Sequence, residues 1–182
     1  GGLLRTAGSY PLVLGTNQNE RLRIDSGGRV LIGSDTIRNV GGASASGQLQ
    51  VEGTTANNSS LVLINNQANN KSPVLSFGKT RGTSTGAVTT VADGDTLGSI
   101  KFSGADGTDL ANSTAEIKAA VNGTVAGDQI PADLIFETSA TNSSNRSEKL
   151  RIASDGKITT SYQIVNATAP DFPFEITQVD PS

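Results

Sequence analysis

The chain has 182 residues, a formal net charge of −3, no Cys, His, Met or Trp, and only 4% aromatic residues. Without His or Cys there is no imidazole-based triad, no thiol nucleophile and no thiolate metal site. The slight negative charge argues against general affinity for nucleic acid, which needs clustered Lys and Arg, and no apolar run reaches the length of a membrane span.

The apolar pattern from the N-terminus is short and has a period of two. YPLVLGT (10–16), RLRI (21–24) and RVLIG (29–33) are strand-length pieces, and the DSGG between the last two supplies a tight hairpin turn. QLQVEG (48–53) alternates cleanly. SLVLINN (60–66) and SPVLSFGK (72–79) are also expected to be strands, separated by Asn- and Thr-rich loops. In TLGSIKFSG (96–104), Ile100 and Phe102 share a face, as do Leu134 and Phe136 in ADLIFETSA (132–140). NSTAEIKAAVNG (112–123) has a capping-box pattern from Ser113 to Glu116 and also alternates as a strand would. The strand is preferred, because hairpins are the simplest connection to its neighbours. No helical period occurs elsewhere, so the expected class is all-β with short antiparallel strands.

One unit is written twice. Residues 11–30 (PLVLGTNQNERLRIDSGGRV) and 133–158 (DLIFETSATNSSNRSEKLRIASDGKI) share an apolar strand, a polar loop, a Glu-base-Leu-Arg-Ile segment, a Gly turn and a further strand. The expected organisation is an N-terminal hairpin unit with linker (1–47), a central all-β region (48–146), and the second Leu-Arg-Ile unit with a Pro- and Phe-containing end (147–182). Two copies are fewer than a solenoid needs, and they suggest a piece of a longer modular array. The Gly-Gly start and the absence of Met suggest a processed chain or a piece of a longer protein.

NERLRIDSGGRVLIGS (19–34) resembles the repeat units of bacteriophage tail fibres and related virion fibre proteins, and residues 94–123, 131–140 and 148–152 are similar to segments of such fibres, notably from marine phages. The resemblance spans about 10–160. It implies an elongated, intertwined homotrimer on the virion, joined to other tail proteins and used for host attachment, whether mounted on tail or capsid. The last segment, 161–182, does not resemble another unit or the self-cleaving chaperone that often follows such fibres.

The shared-core idea also has a basis in composition. A chain this poor in large side chains buries little by itself, and cores formed between copies from Leu22/Ile24, Ile100/Phe102, Leu134/Phe136 and Leu150/Ile152 would supply the difference. Arg21, Arg23 and Arg151 are read as outer-face bases that pair with Glu20 and Glu148 across the hairpin rather than as glycan ligands. ADGD (92–95) and GADGTD (104–109) are read as turns, since neither has the spacing of a calcium loop. GKTRG (78–82) lacks the glycine spacing of a phosphate loop. Asp93, Asp95, Asp106, Asp109, Glu116 and Glu137 show no spacing that marks a hydrolase pair. No catalytic residue, metal or cofactor is therefore assigned. The alternative role is a glycan-binding receptor-recognition module, with a polysaccharide depolymerase more distant; host surface polysaccharide is then the partner and Tyr162, Phe172 and Phe174 the candidate contacts, although an axial plug between copies is the preferred role for the two Phe.

Overall fold

A computed structural model describes residues 4–42 and 46–161. These described residues form nine strands and one 3₁₀ turn at Ala56–Asn58. The fold is all-β. The strands are β1 Leu12–Thr16, β2 Asn19–Ile24, β3 Val30–Ile32, β4 Leu49–Val51, β5 Thr96–Ser103, β6 Ser113–Val121, β7 Ala132–Ser139, β8 Arg146–Ile152 and β9 Ile158–Thr160. They make two sheets in simple chain order, β1-β2-β3-β4 and β5-β6-β7-β8-β9. All neighbours are antiparallel except β3 and β4, which run parallel. Residues 112–123 thus contain a strand, β6, and not a helix.

Local chemistry explains the hairpins. Asn17 and Gln18 both have positive φ, 52° and 60°, as a two-residue turn between twisted strands requires. Between β2 and β3, the Asp25 amide donates to the Arg29 carbonyl (2.9 Å), and Gly28 at φ 80° donates to the Asp25 carbonyl. Between β8 and β9, Ala153 bonds Lys157 (2.8 Å), and Gly156 at φ 85° donates to the Ala153 carbonyl. A β-bulge precedes each Leu-Arg-Ile segment. Leu14 faces Leu22 but Gly15 faces Glu20, leaving Arg21 extra; Phe136 faces Leu150 but Glu137 faces Glu148, leaving Lys149 extra. The carbonyls of Arg21 and Lys149 then accept from Gly33 and Ser161 respectively.

Two expectations are corrected. Residues 60–66 and 72–79 are not strands: among the described residues neither segment joins a sheet. The Arg–Glu pairs also do not cross a hairpin. Glu20 with Arg23, and Glu148 with Arg151, pair within one strand, three residues apart. Alternation alone would put such residues on opposite faces, and the bulge residue between them returns both to one face.

Among the described residues only Leu31, Val91, Val121 and Ile135 are buried hydrophobics. Leu31 pairs with Arg23, and Ile135 pairs with Arg151. Leu31 and Ile135 therefore lie on the face that carries the arginine, opposite the Leu and Ile of the Leu-Arg-Ile segment, whereas Val121 shares the other face with Ile117 and Ala119.

Candidate functional surface

Register across the five-stranded sheet defines two unlike faces. One row runs Ile100, Ile117, Phe136, Leu150, Thr160, and the next runs Gly98, Ala119, Leu134, Ile152, Ile158. Phe102 and Ala115 extend this face. It carries no charge, yet it is open: Phe102 is 52% exposed and Ile158 63%, and Ile100, Leu134 and Ile152 are exposed as well. The expected core pairs Ile100/Phe102, Leu134/Phe136 and Leu150/Ile152 all lie here. The first sheet repeats the arrangement, with Leu12, Ile24, Val30 and Leu49 in one row and Leu14, Leu22, Ile32 and Val51 in the next.

The opposite face of the five-stranded sheet is charged and largely closed. Lys118 bonds Glu137 at 2.6 Å, and Arg146 bonds Glu116 at 2.6 Å and the Ser113 carbonyl at 2.7 Å. Asp133 is 1% exposed. Its carboxylate accepts from Arg151, from Asn122 Nδ2 (2.7 Å) and from the Ser154 amide (3.0 Å). Arg151 also donates through Nε to Glu148 (2.9 Å). Burial alone would raise the Asp133 pKa, but the Arg151, Ser154 and Asn122 donors outweigh it and hold the carboxyl below its usual range. Hydrogen bonding from Arg151 lowers Glu148, and the bonds to Glu148 and Asp133 raise Arg151.

Asp93, Asp95, Asp106, Asp109, Glu116 and Glu137 are likewise engaged. Asp95 is held by Arg81 (2.7 Å) and the Ala92 amide (2.9 Å), and its pKa is lowered by those bonds. Asp93 accepts from the Gly123 amide (2.8 Å). Asp106 accepts from the amides of Thr108 and Asp109, and Asp109 from that of Ala111. The ADGD and GADGTD segments are thus turns pinned by their own carboxylates. Glu116 and Glu137 are cross-strand neighbours, but each already has a cationic partner. Arg21 donates to Thr16 Oγ1 (3.1 Å). It borders a mixed polar cleft of about 430 Å³ with Asn19, Glu20, Glu52 and Asn58. Tyr162, Phe172 and Phe174 lie outside the described residues.

The sequence reading missed Asp133, Arg146 and Phe77. Phe77 stands over Gly98 so closely that a Cβ there would lie 2.5 Å from the Phe77 Cβ. It forms one wall of an apolar groove of about 330 Å³ lined by Leu97, Ile100, Ile117, Ala119 and Leu134. Upstream of it, Leu61, Val62, Leu63, Ile64, Val74 and Leu75 are all exposed. A signal for Asp133 was present: a lone acid at the head of an apolar strand, in the repeat unit that also contains Arg151.

No protein-family model matches the chain, and no curated protein matches it. Among solved structures, the chain is similar to the carboxy-terminal domain of the L-shaped tail fibre of bacteriophage T5, with a TM-score of 0.63 and 12% sequence identity, over 94% of this chain and 74% of that one. At that identity the likeness is one of fold alone.

Proposed function

We propose that the chain is a structural segment of a phage virion fibre, a tail fibre in the first instance, and that it works as a homotrimer in host attachment. The observation that carries this reading is the uncovered apolar face of each sheet. A monomer in water rarely leaves such a face open, and its simplest partner is another copy of the same chain. The fold likeness to a tail fibre domain supports the same reading. So does the twice-written hairpin unit, whose bulge, turn and Glu–Arg pair recur in the same order. A repeatable unit of this kind lengthens a rod without a new core design.

The role is mechanical and adhesive, without chemistry of its own. Asp93, Glu116 and Glu137 are engaged as turn acceptors or in ion pairs. Other tail proteins and a host surface polysaccharide are the partners this role calls for. Immunogold electron microscopy with antibodies to the chain tests the assignment on phage particles that encode it. Gold along the tail fibres is the expected result. Gold on the capsid alone would move the fibre to the head, and unlabelled particles would overturn the virion role.

A further inference from the structure

We infer that residues 61–64 and 74–77 are strands of the assembly rather than of the single chain. Each copy pairs them with the same segments of neighbouring copies, and the layer so formed closes the apolar face of the five-stranded sheet. This rests on the homotrimer reading and specifies which part of each copy covers the open face.

Four observations converge. First, residues 61–64 read Leu-Val-Leu-Ile, an unbroken apolar run, which is the signature of a strand covered on both sides. The chain covers neither side: Leu61 and Val62 are each 69% exposed and Ile64 75%. Second, among the described residues the backbone groups of 61–64 and of 74–77 make no hydrogen bonds. An apolar segment with free amides and carbonyls is a half-made sheet. Third, Phe77 already rests on Gly98 in β5, which places the end of this segment at the margin of the open face. Fourth, residues 53–70 contain no charged side chain, so a dry layer can form there without burying a charge.

The areas are of the right size. Seven exposed apolar side chains in the segment and five on the sheet face, each about half exposed, present roughly 1,000 Å² per chain, against about 800 Å² per partner in a stable interface. Segment and face occur once in every chain, so a closed ring of copies covers both in all of them.

Amide hydrogen exchange on the full chain, with its mass in solution measured in parallel, tests this. In a trimer, the amides of 61–64 and 74–77 should exchange roughly 100-fold more slowly than those of the polar loop at 66–70. A trimer in which they exchange like that loop would overturn the inference while leaving the fibre reading in place. A folded monomer would overturn both. A second test uses Leu63→Asp, which places a charge in the layer and should convert the trimer to smaller species. An L63D protein that stays trimeric with unchanged protection would also sink the idea.

Discussion

Replacing Asp133 by Ala should destabilise the protein sharply, because the residue is buried and organises the charged face. The substitution removes the acceptor for three donors: the Arg151 guanidinium, Asn122 Nδ2 and the Ser154 amide. Breaking a buried ion pair from one side costs about 3–5 kcal/mol. Here the cost is discounted, because Arg151 is 30% exposed and keeps Glu148. Stranding one amide N–H and one side-chain donor adds back part of that discount, so the net loss should be about 2–4 kcal/mol. For a chain of this size that corresponds to a fall in Tm of roughly 5–15 °C. Thermal unfolding followed by far-UV circular dichroism checks it, at fixed protein concentration because association contributes to the transition. The partner variant Arg151→Ala and the double variant complete a cycle, and the double should cost about 1 kcal/mol or more less than the sum of the singles. A loss below about 0.5 kcal/mol for Asp133→Ala would refute the claim that this buried carboxylate organises the charged face.

Acid should act through the same groups. Asp133 and Glu148 have folded pKa values below their unfolded ones, so the unfolded chain takes up protons first as pH falls. Their contribution is complete above the ordinary carboxylate range and is lost as pH drops through and below it. A Tm plotted against pH should be level from pH 7 to about 5 and fall below about pH 4, with a shallower fall in Asp133→Asn. Gly28→Ala and Gly156→Ala, at φ 80° and 85°, should each cost about 1 kcal/mol in urea unfolding, and the two costs should agree because the turns share their bonding. Gly98→Val should displace Phe77 and lower stability by about 1–3 kcal/mol, and an unchanged midpoint would show that the Phe77 contact is dispensable.

Much of the fold was legible because alternation is a local signal. Ile100 with Phe102, and Leu134 with Phe136, share a face in any straight strand, and the Gly turns at 28 and 156 announce their hairpins. What alternation cannot report is a partner. Residues 60–66 and 72–79 have strand-like sequence, but a strand requires a paired neighbour, and among the described residues they have none. The bulges at Arg21 and Lys149 were legible only indirectly. A Glu three residues before an Arg, in a strand where both must meet, implies one extra residue between them. The parallel pairing of β3 with β4 left no mark, because VLI and LQV would suit either direction. Which face is closed was also hidden. Aliphatic-rich faces are ordinarily the covered ones, whereas here Asp133 and Glu116 are buried and Phe102 is open. That inversion becomes intelligible once more than one chain is considered.

The central claim is that these open faces are closed by other copies of the same chain. Light scattering coupled to size exclusion tests it most directly. The account predicts a stable species of about three times the 18.6 kDa chain mass. A folded species at the single-chain mass, with its β content intact, would contradict it.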